Sequence, residues 1–320
     1  MTQVFRTVCI LAVLSSMGCG DGTDSTISSD PMLSPAESTE AAPAPAPAFE
    51  IHGHRGARGL LPENTIPGFI LAIREGSDVL EMDLCISKDD QVIVSHEPWM
   101  SHEICTHADG QEIAAESERD LNLRQMTLEE IQTYDCGMHP HPRFPNQRHV
   151  PGHKPALAEV VDMAEKVPML LEGRKIRYNL EIKHHQDLEP AFCPDAPTFA
   201  QLVLDEVNRL GISDRTCIQS FSTDALEAVH QIDPDITTAL LVESEGDCAD
   251  QLARLSFTPS IYSPQWQLID ANDVHALQDQ DIRVIPWTVN QEEDLYAVMQ
   301  MGVDGIITDY PDRLYDMRGK

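Results

Sequence analysis

Positive charge is scarce in this chain, and its scarcity limits the partners to be expected. The 320 residues include 22 lysine and arginine residues against 53 aspartate and glutamate residues, a formal net charge of −31. Such a field repels polyphosphate, which argues against nucleic acid and against an anionic membrane surface as partners. An anionic substrate would therefore need a local patch of positive charge.

Two further absences narrow the class of protein. Apart from the N-terminus, no apolar run approaches the roughly 20 residues that a membrane-spanning helix needs. No cysteine pair has the CxxC spacing, and no cysteine and histidine cluster has the spacing of a zinc site. With 42% hydrophobic residues, the chain can still bury one large core or two ordinary ones.

The first 48 residues differ in composition from the rest. Residues 1–19 carry one arginine, an apolar stretch and small residues before Cys19, which is the pattern of an export signal. Gly18-Cys19 resembles the end of a bacterial lipobox, although Ser16 stands where leucine is usual. We expect a lipid anchor at Cys19 in the periplasm or cell envelope, with simple secretion as the alternative. Residues 20–48 end in an Ala-Pro repeat and predict a disordered linker.

Six cysteines follow Cys19, and an even number in an exported chain permits disulfides. They are Cys85, Cys105, Cys136, Cys193, Cys217 and Cys248. Six cysteines allow fifteen complete pairings, and the sequence selects none of them. We expect Cys105 to pair with Cys136 and to close the long segment described below.

Residues 49–320 show a repeated alternation of β-rich and helical patterns. The β-rich runs lie at 49–54, 78–86, 177–183, 216–221, 237–243, 260–264, 283–289 and 304–309. Helical patterns separate most of them, at 65–75, 156–166, 198–210, 223–231, 270–280 and 292–301. Eight strands alternating with helices predict an α/β fold, the TIM (β/α)8 barrel, and a doubly wound open sheet is the alternative.

Polar side chains recur where the predicted strands end, which is where a TIM barrel carries its chemistry. His54 and Arg55 close the first strand. Glu81 and Asp83 lie two residues apart in the second strand, so both point to one face, and Glu181 repeats this placement in the third. Buried carboxylates without partners are costly, so three of them on inward positions predict a bound hard cation.

A series of motifs resembles the glycerophosphodiester phosphodiesterase family along nearly all of residues 50–315. In chain order they are HRG, PENT, an ExD, the histidine of VIVSHE, NLEIK, QSF, WTVN and MGVDGIITDYPDRL. Each motif alone is common, but their succession is specific. The family is a metal-dependent TIM barrel that hydrolyses glycerophosphodiesters to sn-glycerol 3-phosphate and an alcohol, and the resemblance implies this enzyme activity here.

The resemblance also implies the roles of individual residues. His54 and His96 would be the general acid/base pair, a role that suits imidazole because its ordinary pKa of about 6.5 lies near neutral pH. The glycerol 2-hydroxyl would attack phosphorus, forming a cyclic phosphate that water then opens. Either histidine could be the base in the first step.

The remaining site residues implied by the resemblance bind the metal or the substrate. One divalent cation, Ca²⁺ or Mg²⁺, would be held by Glu81, Asp83 and Glu181. Glu63 is expected to be a further carboxylate of this metal site, and the alternative is an orienter of the first loop. Arg55 and Lys183 would bind the phosphate. The predicted wall around the substrate comprises Gln219, Phe221 and Trp287.

Two departures from the family pattern concern the segment after His96. Glu97 stands where the family usually has aspartate. An insertion at about 97–154 is long for a barrel loop and is expected to roof the site and to select the leaving alcohol. HPHPRF at 139–144 predicts an extended loop rather than a metal site. Nine other histidines are expected in solvent or loops: His52, His102, His107, His139, His141, His149, His153, His184 and His185.

The sequence leaves two other functions open. One is a phospholipase D of the sphingomyelinase type, which shares the barrel, the histidines and the metal but cuts a lipid. The other is an inactive barrel that serves as a binding scaffold. The expected partner is a small-molecule glycerophosphodiester, with membrane attachment only through the N-terminal anchor, and the sequence leaves the oligomeric state open.

Overall fold

The computed structural model describes residues 49–167 and 175–318. The predicted export signal, Cys19 and the linker up to residue 48 fall outside these ranges and stay predictions. Within the described ranges, no helix has both the length and the apolar character needed to cross a bilayer.

The described part of the chain contains nine strands in one sheet, eight of them parallel. The strands are β1 (Glu50–Gly53), β2 (Val79–Ile86), β3 (Val92–Val94), β4 (Arg177–Ile182), β5 (Thr216–Ser220), β6 (Thr237–Val242), β7 (Ile261–Pro264), β8 (Arg283–Val284) and β9 (Gly305–Thr308). Their order is β8-β7-β6-β5-β4-β2-β1-β9, and β3 pairs antiparallel with β2.

Backbone hydrogen bonds join the two ends of this sheet. The amide of Asp304 donates to the carbonyl of Val284 at 2.9 Å, and the amide of Ile307 donates to that of Pro286 at 3.0 Å. The segment around β8 therefore lies beside β9, and the sheet curls into a barrel. The TIM barrel predicted from the sequence is confirmed, and the open doubly wound sheet is wrong.

Strand β8 is shorter than the β-rich run at 283–289 because of Pro286. Proline has no backbone N–H to donate to a neighbouring strand, so regular pairing stops there. The chain nevertheless stays extended, since the amide of Trp287 donates to the carbonyl of Pro264 at 3.0 Å. This contact fixes Trp287 at the carboxyl end of the barrel.

Helices cover the outer face of the sheet, and each of the six predicted helical patterns forms one. Across the described residues the helices are α1 (Ile66–Arg74), α2 (Leu128–Ile131), α3 (Leu157–Lys166), α4 (Ala196–Leu210), α5 (Thr223–Ile232), α6 (Cys248–Leu252), α7 (Ala271–Gln278), α8 (Glu292–Gln300) and α9 (Pro311–Arg318). The hydroxyl of Ser222 caps α5 by accepting from the amide of Ala225 at 3.2 Å.

The main core lies between the sheet and the helices. All eight residues of β2 are buried, as expected of a parallel strand covered on both faces. Phe69 of α1 and Phe199 of α4 are fully buried in the same apolar cluster as residues of β2. A smaller apolar cluster of strand residues includes Cys217, Ala239 and Ile307.

The segment between β3 and α3 has a small core of its own. Cys105 and Cys136 form a disulfide within it, as expected from the sequence. Met100, Leu123 and Ile131 pack around this disulfide and are fully buried. The segment is therefore a folded cap on the barrel rather than a loose loop.

Candidate active site

A cavity of about 470 Å³ opens at the carboxyl ends of the strands. His54 follows β1, Lys183 follows β4 and Phe221 follows β5, and all three line this cavity. His96 reaches it from the end of β3, where the amide of Ser95 donates to the carbonyl of Asp83 at 2.9 Å. Side chains from distant parts of the chain therefore meet at one mouth.

Three carboxylates form a compact cluster below this mouth. Glu81 and Asp83 lie two apart on β2, and Asp83 pairs in register with Glu181 of β4. One oxygen from each lies within 4.8 Å of the others, and all three side chains are buried. The two-residue spacing of Glu81 and Asp83 on one strand, together with Glu181 on the next, thus brings the three carboxylates together.

Burial and mutual repulsion set the protonation of this cluster. Burial first, and then the charges of Asp83 and Glu181, raise the pKa of Glu81 well above its ordinary value. Burial also raises the pKa of Glu181. For Asp83 burial acts in the same direction, but the positive charges of Arg55, His96 and Lys183 outweigh it and lower the pKa.

The cluster has the donor chemistry of a hard-cation site. The Oδ1 atom of Asp83 is buried and has no hydrogen-bond partner among the described residues. The ammonium of Lys183 lies 3.7 Å from this oxygen, beyond hydrogen-bond distance. A buried anionic oxygen without a hydrogen bond is costly, and a bound cation would satisfy it. Carboxylate oxygens without cysteine or histidine suit Ca²⁺ or Mg²⁺. The three residues therefore fit the divalent cation expected from the sequence.

Arg55 lies over the cluster in a strained conformation. Its φ of 53° falls in the left-handed region, which is uncommon for residues with a side chain. Its amide donates to Glu81 at 2.9 Å, and its guanidinium contacts Glu63 at 2.8 Å and Asp83 at 3.2 Å. These contacts hold the conformation in place, as is typical of a functional site.

Lys183 is the second cation at the cluster. Its ammonium lies 2.9 Å from Glu181 and 3.7 Å from Asp83. Burial opposes its charge, but these two carboxylates raise its pKa above the ordinary value. The residue is therefore charged and faces the cavity.

Each of the two histidines at the cavity has a carboxylate at Nδ1. Nδ1 of His54 lies 2.7 Å from Asp309, and Nδ1 of His96 lies 2.6 Å from Glu97. Burial lowers the pKa of His54, and the charge of Asp309 opposes part of this effect. Contact with His96 holds the pKa of Glu97 at about 2 although burial acts against it. Among the described residues, Nε2 of each ring has no hydrogen-bond partner and is left for another group.

Glu63 is not a member of the three-carboxylate cluster. Its side chain is buried between Arg55 and Arg58, whose Nε atom lies 2.6 Å away, and its third contact is Nε2 of His141 at 3.2 Å. The charge of the two arginines outweighs burial and lowers its pKa well below the usual value. This placement favours the orienting role over the metal ligand.

The remaining predicted residues form the wall of the cavity. The side-chain amide of Gln219 donates to Glu81 at 2.8 Å, which orients that carboxylate. The rings of Phe221 and Trp287 pack edge to face, with 5.5 Å between their centres. The indole N–H of Trp287 donates to the carbonyl of Ser263. The two rings thus form a fixed apolar side beside an otherwise charged site.

Comparison with known proteins decides the family. The model of the glycerophosphoryl diester phosphodiesterase family matches residues 54–313, which begin at His54 and span the whole site. The chain belongs to this family. The family predicted from the sequence is confirmed, and with it the enzyme class of a phosphoric diester hydrolase.

Relatives and solved structures agree with this membership. A glycerophosphodiester phosphodiesterase of Caldanaerobacter subterraneus subsp. tengcongensis is 26% identical over 268 residues, covering 82% of this chain and 95% of the relative. The structure of a protein described as a glycerophosphoryl diester phosphodiesterase, from Silicibacter pomeroyi DSS-3, aligns with a TM-score of 0.74. The two sequences are 28% identical, and the alignment covers 85% of this chain and 95% of that one.

A third similar protein was solved with a ligand. It is an Oleispira antarctica phosphodiesterase in complex with the product sn-glycerol-3-phosphate, with a TM-score of 0.67. The alignment covers 85% of this chain and 97% of that one at 19% identity. At that identity the likeness shows the shared fold alone.

Several residues at the site were not predicted from the sequence. Asp309 holds His54, and the side-chain amide of Asn290 donates to Asp309 at 2.7 Å. Asn64 donates to Asp83 at 2.8 Å, and Arg58 lines the cavity. Asn64 belongs to the PENT motif and Asp309 to the DGIITD segment. Their positions in these motifs could have indicated that they lie at the site.

Three histidines expected in solvent or loops are buried instead. His52 contacts Glu50 at 3.1 Å at the amino end of the barrel, and His141 contacts Glu63. His184 lines the cavity, with Nδ1 2.7 Å from the hydroxyl of Ser222. Each has a polar partner, which is how a buried imidazole is accommodated, and the partners of His141 and His184 come from distant parts of the chain.

Proposed function

We propose that the protein hydrolyses glycerophosphodiesters to sn-glycerol 3-phosphate and an alcohol. One arrangement carries this proposal: His54 and His96, each held at Nδ1 by a carboxylate, line the same cavity as Glu81 and Glu181 of the three-carboxylate cluster. Family membership supports the same reaction class. The product bound to the Oleispira antarctica relative supports the glycerophosphate part of the substrate.

One divalent cation, Ca²⁺ or Mg²⁺, would be held by Glu81, Asp83 and Glu181. Such an ion polarises phosphoryl oxygens and lowers the pKa of a bound hydroxyl. Arg55 and Lys183 border this cluster and would add positive charge at the phosphate. The local cationic patch that an acidic chain needs for an anionic substrate would then consist of these side chains.

The two histidines would move protons through Nε2, since Nδ1 of each is engaged. In the first step one imidazole takes the proton of the glycerol 2-hydroxyl as that oxygen attacks phosphorus. The other imidazole protonates the departing alkoxide, which leaves as the alcohol with a cyclic phosphate behind. In the second step water opens the ring, and the histidines exchange roles.

A panel assay tests this proposal. The full-length protein is incubated with glycerophosphocholine, glycerophosphoethanolamine and sphingomyelin in Ca²⁺ or Mg²⁺, and the release of sn-glycerol 3-phosphate and of the alcohol is measured. We expect turnover of the two glycerophosphodiesters. Preferential cleavage of sphingomyelin would replace the proposal with the phospholipase D alternative, and no turnover at all would favour the inactive scaffold.

We further propose that the protein is exported and anchored through Cys19. The signal-like residues 1–19 and the linker to residue 48 support this location. Fractionation of a bacterial host expressing the protein, with radiolabelled palmitate, tests it. The Cys19→Ser variant should lose both the label and the membrane association. If the unaltered protein and the variant are both soluble and unlabelled, the result would indicate simple secretion.

A further inference from the structure

Four cationic side chains line the cavity, and they differ in whether a carboxylate already holds them. Arg55 and Arg58 both contact Glu63, and Lys183 contacts Glu181. Within residues 49–167 and 175–318, no ion pair joins Arg143 to a carboxylate. Among the described arginines and lysines that line the cavity, Arg143 is therefore the one without a carboxylate partner.

The loop that carries Arg143 is fixed firmly to the barrel. The side-chain amide of Gln147 donates to the carbonyl of Arg58 at 2.6 Å and to that of Leu61 at 3.1 Å. Both acceptors belong to the loop after β1, which also carries the strained Arg55. The insertion therefore has a defined position over the site.

Aromatic contacts reinforce the same attachment. The guanidinium of Arg58 lies 4.9 Å from the ring centre of Phe144, and the ring of His141 packs edge to face on Phe144. The amide of Arg143 donates to Nδ1 of His141 at 3.1 Å, while Nε2 of that ring contacts Glu63. One buried imidazole thus links the backbone of Arg143 to the charged network of the site.

The electrostatics of Arg143 agree with an anion as its partner. Desolvation, followed by the positive charge of Arg58, lowers the pKa of Arg143, and the charges of Glu63 and Glu103 offset part of this effect. Arginine remains charged at neutral pH. An anion bound beside the two guanidinium groups would relieve their repulsion. Arginine also offers a planar fork of donors that matches phosphate oxygens.

We propose that Arg143, an exposed residue that the insertion places at the lining of the cavity, binds the phosphate of the substrate. This inference rests on the proposed hydrolysis of glycerophosphodiesters. It assigns to a segment outside the barrel a direct part in substrate binding. The phosphate is the anionic group shared by all substrates of this class, so the effect of Arg143 should not depend on the leaving alcohol.

Kinetics of Arg143→Ala and Arg143→Lys test the proposal in the full-length protein. We expect Arg143→Ala to lower kcat/KM by about tenfold or more, equally for glycerophosphocholine and glycerophosphoserine, with Arg143→Lys intermediate. Competitive inhibition by sn-glycerol 3-phosphate should weaken in parallel. Arg148→Ala is the matched control, because Arg148 lies in the same loop but does not line the cavity.

The outcomes separate this inference from the proposed function. If the unaltered protein turns over no glycerophosphodiester, the proposed function fails. If it is active and Arg143→Ala leaves kcat/KM and inhibition unchanged, the phosphate-binding role is overturned. A loss confined to glycerophosphoserine, with unchanged inhibition, would overturn it as well, since Arg143 would then contact the leaving group. An unchanged melting temperature confirms that the variants fold.

Discussion

Nδ1 of His54 lies 2.7 Å from Oδ1 of Asp309, although 255 positions separate the two residues. The contact exists because β1 and β9 are neighbours in the barrel, with Gly53 in register with Thr308. Asn290 completes the arrangement by accepting from the amide of Asp309 at 2.9 Å. Closure of the barrel thus creates the support of one proposed acid/base group.

Replacement of Asp309 by asparagine should change the pH dependence of activity. Burial already lowers the pKa of His54, and Asp309 counteracts this effect, so Asp309→Asn should lower that pKa further. If His54 acts as a base, the acidic limb of kcat/KM moves to lower pH. If it acts as an acid, the alkaline limb moves to lower pH. Profiles from pH 4 to 10, with NMR titration of the His54 ring, measure the shift.

A clear result would contradict this reading. Unmoved limbs and an unmoved His54 titration in a folded Asp309→Asn protein would show that the carboxylate does not tune the ring.

Removal of either histidine should abolish most of the activity without unfolding the protein. His54→Ala and His96→Ala should each lower kcat by about 100- to 10,000-fold, the usual contribution of general acid/base catalysis. Both side chains lie at the cavity wall rather than in the apolar core, so the melting temperature should change little. Exposed His275 on α7 provides the control, and His275→Ala should keep full activity. Loss of less than tenfold in either histidine variant would remove that residue from the chemistry.

The disulfide of the insertion should stabilise the folded chain. Cys105 and Cys136 are 31 positions apart, and a cross-link that closes a loop of this length contributes about 3 to 4 kcal/mol to the free energy of unfolding. The double variant Cys105→Ser/Cys136→Ser should lose about that amount in urea unfolding. Cys248→Ser, at a free and half-buried thiol, should lose less. Equal stability of the double variant and the unaltered protein would show that the bridge contributes little.

Because of Glu50, at the amino end of the barrel, the free energy of unfolding should fall at acidic pH. Burial opposes its charge, but His52, Arg283 and Arg177 lower its pKa to about 2, compared with 4.5 in the unfolded chain. Its contribution, on the order of 3 kcal/mol, is therefore present above about pH 4.5 and is lost as the pH falls towards 2.

Urea unfolding at pH 7 and at pH 3 measures this contribution. Glu50→Gln should be much less stable than the unaltered protein at pH 7, and the difference should shrink at pH 3. The surface pair of Glu206 and Arg209 gives the control, since Glu206→Gln should change neither value measurably. A difference that is the same at both pH values would contradict the pKa of Glu50.

Local periodicity accounts for what could be predicted. The two-residue spacing of Glu81 and Asp83 fixed their shared face, and the alternation of strands and helices indicated the barrel. Pro286 shortened β8 in a way that its missing N–H explains. Such features depend on neighbouring residues and need no knowledge of the tertiary structure.

The residues that were missed depend on contacts between distant segments. Asp309 becomes a partner of His54 only when β9 lies beside β1. His141 is buried only because the insertion folds back onto Glu63. Neither contact has a sequence pattern of its own, so a lone histidine in a proline-rich loop gave no sign of burial.

Dependence on a divalent cation is the most direct test of the site. Hydrolysis of glycerophosphocholine is measured as the amount of sn-glycerol 3-phosphate released. The measurement is made first after dialysis against EDTA and then during titration with Ca²⁺ or Mg²⁺. Both the unaltered protein and Asp83→Asn are assayed. We expect EDTA to abolish turnover, the cation to restore it, and Asp83→Asn to need at least about tenfold more cation. Full turnover in excess EDTA would contradict the account, because the cluster of Glu81, Asp83 and Glu181 would then hold no ion that the reaction needs.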